Sequence, residues 1–176
     1  DKRGHEVRFS LMTNAGNTIR TTESNLIAGD LRKLGMQVDF SAVESKAFTS
    51  RAMNTYDFDA ILLGLGNTDI DPSSSMDLWL SDGTLHLWWP QQKEPHTPWE
   101  KRIDELMHAQ MTSFDHTERK KAYDEVQQIL ADQLPIIFTT YQMIHVCGRQ
   151  NLGNFKPAIA RDRVLWNADE LFWSKP

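Results

Sequence analysis

Alternating apolar and polar positions in the first part of the chain predict two β-strands, over Val7–Thr13 and residues 36–43. Between them, residues 18–34 carry apolar side chains at helical spacing. The positions expected to face inward are Ile19, Leu26, Ile27, Leu31 and Leu34. Gly35 stands where a helix commonly ends in a left-handed residue. Gly29, in the helix interior, predicts a close backbone contact because glycine is unfavourable there.

A short helix over residues 45–54 and a continuous apolar run over residues 58–63 follow. The run is short and rich in strand-forming residues, which predicts a strand buried on both faces. It stops at Gly64 and Gly66 and opens into a polar loop. Strands alternating with helices predict parallel pairing through right-handed crossovers, in the local order 2-1-3. All three carboxyl ends then meet at one edge, where open α/β sheets bind ligands.

Helix-capping signals dominate the second half of the chain. Residues 97–100 supply an N-cap threonine, a proline at the first helical position and a glutamate at N3, and residues 115–118 repeat the capping pattern. The residues expected to face inward are Trp99, Ile103, Leu106, Met107, Met111 and Phe114 in the first helix, and Ala122, Tyr123, Val126, Ile129, Leu130 and Leu134 in the second. Residues 136–141 are predicted to form a buried strand, and residues 168–172 a short helix.

The length of 176 residues fits one domain with an appended tail, and a composition of 40% apolar and 24% charged residues can build a hydrophobic core. The net charge of −5, with both signs mixed, argues against nucleic acid or an anionic membrane as the main partner. The chain begins at Asp1 without a signal-like segment, so we expect either that a signal was removed or that this is a piece of a longer protein. Cys147, the only cysteine, lies in an apolar segment and is expected to be buried.

The acidic loop at residues 69–77 is open to several interpretations. Its alternating oxygens suggest calcium, but it lacks the glycine and the final glutamate of an EF-hand loop. Asp69 and Asp71 could form a catalytic pair, although no acid partner is identifiable by spacing. They could also be solvated caps without a function, or partners for an ammonium or guanidinium group of a ligand.

Other signals for chemistry are weak. The six histidines show no metal-like spacing, and no serine lies in a nucleophile-elbow pattern. No lysine follows Gly64-Leu65-Gly66, so a phosphate loop is not indicated, and we predict a protein that is not an enzyme. Trp88 and Trp89 lie in an irregular segment, where aromatic rings either line a ligand cleft or pack a long loop onto its domain.

The order of motifs resembles the extracellular solute-binding proteins of the peptide/nickel type, the capture subunits of ABC importers. The motifs are TNAGN after a strand, an amphipathic helix, LGMQV, YDFDA, a glycine-rich strand end and DIDPS. The likeness continues through WLSDGTLHLW, TPWEKRIDELM, DHTERKKAYDEVQQILADQLPIIFTTY and NLGNF. It implies a periplasmic-binding-protein-like (type II) lobe with a mostly parallel sheet flanked by helices.

The same resemblance implies a domain plan and a site. Residues 1–147 would form the C-terminal lobe of a two-lobe protein about three times this length, and residues 148–176 would return toward the missing N-terminal lobe. In peptide-binding members, an aspartate in the loop after the third strand pairs with the peptide amine. Asp69 is the best match and Asp71 the alternative. The residues implied to face the ligand are Asp69, Asp71, Asn14, Asn17, Trp88 and Trp89.

By resemblance, the chain captures a solute, most simply a di- or oligopeptide, and delivers it to a membrane permease. The location implied is periplasmic or extracellular, with a lipoprotein anchor as one form. No cofactor or metal is implied. An oligosaccharide or a nickel chelate is the alternative ligand, and a solute-sensing lobe of a regulator is the alternative role.

Overall fold

The computed structural model describes residues 3–66, 71–141, 143–158 and 164–174. The chain divides into two units, each treated by itself. The first comprises Asp1–Gly66 with Ser81–Pro95, and the second Asn67–Leu80 with His96–Pro176. The predicted domain boundary after residue 147 does not coincide with a boundary between these units, and it stays a prediction.

The first unit is built on a three-stranded sheet of β1 (Arg8–Asn14), β2 (Gln37–Val43) and β3 (Ala60–Ile61). The strand order is β2-β1-β3 and both pairings are parallel, as the alternation of strands and helices predicted. The helix α1 (Thr18–Lys33) crosses from β1 to β2, and Gly35 follows it with a φ of +86°. Gly35 is therefore the left-handed residue that ends this helix, as predicted.

The two faces of the sheet are covered by different helices. Consecutive residues of a strand point to opposite faces, and in β1 these are Leu11 and Met12, both buried. Leu11 packs with Ala28 of α1 and with Val38. Met12 packs with two residues of the segment that joins β2 to β3, Phe48 of α2 (Ser45–Ser50) and Ala52 of a π-helical turn (Arg51–Thr55). β1 thus contributes to both cores.

The inward face of α1 differs from the one predicted. Its buried residues are Ser24 and Ala28, with Ile27 and Leu31 partly buried beside them. The predicted inward residues Ile19, Leu26 and Leu34 are exposed. Small side chains let a helix lie close to a sheet. A prediction based on the spacing of large apolar residues misses a buried helix face that is made of small ones. The close contact expected at Gly29 is also wrong, since a Cβ there would meet no atom within 4 Å.

β3 is shorter and more open than predicted. Only Ala60 and Ile61 pair with β1, and the apolar residues from Phe58 to Leu63 are half-buried. Their side chains do pack on both faces of the sheet. However, β3 is an edge strand of the three-stranded sheet that the described residues form, so it is less enclosed than a central strand. Asp59 fixes the pairing, because its carboxylate accepts hydrogen bonds from the backbone N–H and the hydroxyl of Ser10, which also lower the pKa of Asp59.

The second unit contains α3 (Met76–Trp79), α4 (Pro98–Thr112) and α5 (His116–Gln133). The predicted capping box at α4 is present, with Glu100 accepting from both the N–H and the hydroxyl of Thr97. Asp115 caps α5, as expected. The buried apolar residues of the hairpin are Ile103, Leu106, Met107, Val126 and Leu130, whereas Met111, Phe114 and Leu134 are exposed, contrary to prediction.

The chain after α5 contains two further departures from prediction. Residues 136–141 are irregular and mostly exposed, not a buried strand, because a strand needs a partner and none pairs with them among the described residues. Cys147 is exposed, not buried. Near the end, β4 (Leu152–Gly153) and β5 (Phe172–Trp173) pair antiparallel, and a 3₁₀ turn at Ala168–Glu170 occupies the region of the predicted short helix.

Two isoleucines provide a matched test of which segments of the second unit are buried. Ile103 is 0% exposed and Ile137 is 76% exposed. We expect Ile103→Ala to lower the free energy of unfolding by about 2–5 kcal/mol, because it opens a cavity in the hairpin. Ile137→Ala should change it by about 0.5 kcal/mol or less, as for most exposed substitutions.

Equilibrium urea unfolding of the 176-residue chain measures both values. A loss at Ile137 equal to that at Ile103 would show that residues 136–141 are buried and would contradict the irregular, exposed conformation described above.

Candidate functional site

The carboxyl edge of the parallel sheet brings together the residues that follow β1. Asn14 ends β1 opposite Val43, and the N–H of Ala15 donates to the carbonyl of Val43. Asn17 caps α1, its side-chain oxygen accepting from the N–H of Arg20 at 3.0 Å. The structure therefore places Asn14 and Asn17 at this edge, as the parallel strand order predicted.

Arg20 joins this edge and was not among the predicted site residues. Its Nη1 donates to Oδ1 of Asn14 at 2.6 Å. A Cβ on Gly64, just beyond β3, would lie 3.6 Å from Nη2 of Arg20. The guanidinium thus reaches from the first turn of α1 to the chain that leaves β3. The signal in the sequence was a basic residue in the first turn of a helix, where acidic residues are normally favoured.

Asp71 performs a local structural role in the second unit. It caps the 3₁₀ turn Pro72–Ser75, with Oδ1 accepting from the N–H of Ser73 at 2.9 Å. Nη2 of Arg119, in the first turn of α5, lies 2.7 Å from each carboxylate oxygen of Asp71. The bonds from Arg119, followed by those from Ser73, lower the pKa of Asp71 from 3.8 to about 2.

Gln110 of α4 completes this network. Its side chain is fully buried; its backbone carbonyl accepts from Nε of Arg119 at 2.9 Å, and its side-chain amide donates to the hydroxyl of Ser73 at 3.1 Å. Asp71 is therefore a carboxylate whose charge is already offset by a guanidinium within its own unit. Sequence reasoning missed Arg119 and Gln110, because nothing in their spacing relates them to Asp71.

Asp69, the first-choice partner for a ligand amine, lies outside the described residues, as do the other residues of the segment 67–70. Asn14, Asn17, Trp88 and Trp89 belong to the first unit and Asp71 to the second. The role predicted for each of these residues toward a ligand stays a prediction.

The two tryptophans have different surroundings. The ring of Trp88 lies 3.7 Å from that of His86, centroid to centroid, at an angle of 48°. His86 is buried, and its Nε2 lies 2.7 Å from the side-chain nitrogen of Gln92. Trp89 is 49% exposed. Trp88 thus contributes to loop packing, whereas Trp89 presents a large part of its ring to solvent.

Neither a metal cluster nor a membrane span is found in the described ranges. Among those residues, no three or more His, Cys, Asp or Glu side chains are grouped so that they could hold a metal ion. No helix there combines the length and the apolar character needed to cross a bilayer.

Comparison with known proteins decides the family. Residues 1–85 match the family model described as bacterial extracellular solute-binding proteins, family 5, middle part. The chain is 27% identical over 183 aligned residues to the oligopeptide-binding protein AppA of Bacillus subtilis, an alignment that covers 99% of this chain and 31% of AppA. Residues 1–85 are a family 5 solute-binding segment, and the similarity to AppA extends over the rest of the chain.

The solved structures of family 5 proteins agree on the fold. AppA of B. subtilis in complex with a nonapeptide superposes with a TM-score of 0.68 at 24% identity, over 99% of this chain and 33% of that one. A peptide-binding protein AppA of Clostridium difficile, described as putative, gives 0.75 at 18% identity, over 99% and 35%. The type II periplasmic-binding-protein fold is therefore confirmed. The chain spans about a third of the length of these relatives.

The Asp71–Arg119 pair makes a prediction about pH. The pKa of Asp71 is lowered in the folded state, so the stability that its ionised form contributes is present above about pH 4 and is lost as the pH falls toward 2. Asp71→Asn removes this contribution. We expect the difference in unfolding free energy between the parent and this variant to be largest above pH 4 and to shrink as the pH falls toward 2.

Urea unfolding between pH 2 and 6 measures this difference. Asp39→Asn is the matched control, because it breaks the exposed ion pair with Arg8, whose contribution should be small throughout. A parent–variant difference for Asp71 that stays constant across this pH range would contradict the assignment.

Proposed function

We propose that this chain is the ligand-binding α/β lobe of an ABC importer's solute-binding protein and that it captures di- or oligopeptides. The observation that carries the proposal is the similarity to an oligopeptide-binding protein over 99% of the chain. The protein works in the periplasm or outside the cell, and a lipid anchor is one way of holding it there. It closes on its solute with a second lobe and delivers the solute, unchanged, to a membrane permease.

The carboxyl edge of the sheet is the proposed docking surface, since ligands of open α/β folds bind beyond the ends of parallel strands. Asn14 and Arg20 lie there in the first unit. Asp69 is the proposed partner of the peptide's amine. Asp71 was the alternative, but a second cation would have to compete with Arg119, whose nitrogen lies 2.7 Å from both of its oxygens. That competition favours Asp69.

The domain plan is part of the proposal. Residues 1–147 form one lobe, and residues 148–176 return toward a second lobe supplied by the rest of a longer protein. Exposed apolar side chains near this boundary support the plan, because such groups are usually buried against another surface. They include Ile137, Phe138, Tyr141 and Met143. Peptide binding needs both lobes, so the chain alone should bind weakly.

An oligosaccharide is the second candidate ligand. The exposed ring of Trp89 supports it, because aromatic faces offer apolar surfaces to ligands. A nickel chelate or a sensing role in a regulator has no comparable support among the described residues.

The test is a thermal-shift and calorimetric screen of the intact protein that contains this chain. The probes are trialanine, N-acetyl-trialanine, the trisaccharide raffinose and nickel–histidine. A ligand present at 100 times its Kd should add about 2.7 kcal/mol to the free energy of unfolding. We expect trialanine to stabilise the protein and raffinose and nickel–histidine not to do so.

Asp69→Asn should weaken trialanine binding roughly tenfold or more, because a charged hydrogen bond to the amine is lost. N-acetylation should have the same effect and should add nothing further in the variant. Asp82→Asn, an exposed aspartate elsewhere in the chain, is the matched control. Unchanged affinity in Asp69→Asn would remove Asp69 from the site, and a response to raffinose alone would move the proposal to Trp89.

A further inference from the structure

Two helices of the second unit hold the turn Pro72–Ser75 at different points. Arg119, in the first turn of α5, places Nη2 2.7 Å from both carboxylate oxygens of Asp71, which caps the turn. The buried side-chain amide of Gln110, in α4, donates to the hydroxyl of Ser73 at 3.1 Å. The turn is therefore held at its cap by α5 and at its second residue by α4.

The guanidinium of Arg119 is itself held in place. Its Nε donates to the backbone carbonyl of Gln110 at 2.9 Å, and its Nη2 lies 3.2 Å from the side-chain oxygen of Gln110. Gln110 is among the last four residues of α4, whose carbonyls lack a partner within the helix. The side chain of Arg119 is 29% exposed, compared with 47% for Arg102, which pairs with Glu125 on the same hairpin. Arg119 is thus the more enclosed of the two arginines.

The backbone at Asp71 is also restricted. Pro72 follows it at the start of the turn, and a residue that precedes proline is confined to extended conformations. Asp71 accordingly has a φ of −81° and a ψ of 128°. Because its carboxylate is bonded to Arg119 and to the N–H of Ser73, both the backbone and the side chain of Asp71 are fixed.

Asp71 follows Asp69, the proposed partner of the peptide's amine, by two residues. Two residues span at most about 7 Å, so an anchor at Asp71 limits the positions that Asp69 can reach. A hydrogen bond weakens steeply as its angle departs from linear, so recognition of an amine depends on how well the carboxylate is placed. Groups that bind a ligand are commonly held by neighbours that do not contact it.

We propose that Arg119 is a positioning residue for ligand binding, which acts without contacting the ligand by anchoring Asp71 and thereby the end of the loop that carries Asp69. The hairpin of α4 and α5 is the fixed support for this anchor. The inference rests on the proposed peptide-binding function and on the role proposed there for Asp69. An Arg119 that only stabilised the second unit would leave recognition of the amine unchanged.

The test measures recognition of the amine separately from overall affinity. Isothermal titration calorimetry of the intact protein at pH 7 gives the Kd values of trialanine and N-acetyl-trialanine, whose ratio reports the contribution of the amine. We expect N-acetylation to raise Kd roughly tenfold or more in the wild type and about threefold or less in Arg119→Gln. The Kd of N-acetyl-trialanine itself should change by no more than about twofold. Asp69→Asn should lower the ratio, and adding Arg119→Gln to it should lower the ratio no further.

Three further variants separate positioning from stability. Arg119→Lys should keep part of the ratio, because an ammonium can pair with Asp71 but lacks the planar fork that also bonds the carbonyl of Gln110. Arg102→Gln removes the same charge from another ion pair of the hairpin and should keep the whole ratio. Val126→Ala, in the core of the hairpin, should lower the melting temperature and also keep the whole ratio.

An unchanged ratio in Arg119→Gln would overturn the positioning role while leaving the peptide-binding function intact. A ratio lowered equally by Val126→Ala would do the same, because the effect would then be one of stability. A wild-type ratio that Asp69→Asn does not lower would overturn the role of Asp69 and the positioning role with it. Failure of trialanine to bind the wild-type protein would instead overturn the peptide-binding function.

Discussion

The first unit depends on β1 being the central strand of a parallel sheet. Leu11 and Met12 are neighbours in β1, so one of them enters the core under α1 and the other the core under α2. Losing either pairing would expose one of these cores. The same pairing places the carboxyl ends of β1 and β2 side by side, where the N–H of Ala15 donates a hydrogen bond to the carbonyl of Val43. The constraint that builds the core therefore also builds the edge where the proposed site lies.

Local features of the fold could be predicted from the sequence, and features that depend on distant partners could not. The caps at Thr97 and Asp115 were predicted because each is decided within four residues. The inward face of α1 was missed because periodicity gave weight to Ile19 and Leu26, whereas the sheet accommodates the small side chains of Ser24 and Ala28. The strand predicted at residues 136–141 failed because strand propensity does not supply a pairing partner.

The residues of the candidate site show the same difference between local features and features that depend on distant partners. Asn14 and Asn17 could be placed at the sheet edge from the strand order alone, because both follow β1 directly. The bond between Arg119 and Asp71 joins residues 48 apart in the sequence, and no pattern relates them. Arg20 was overlooked because a basic residue in a helix appears unremarkable until the helix start and its partner are known.

The partners of a charge distinguish two kinds of environment in this chain. Asp71 shares its charge with Arg119 and has its pKa lowered to about 2, so a ligand amine would gain little from it. Arg20, by contrast, is held by the neutral amide oxygen of Asn14 at the positive end of α1, so none of the described carboxylates balances its charge. An ion pair within one unit therefore identifies a charge that builds the fold, as Arg119 does for Asp71.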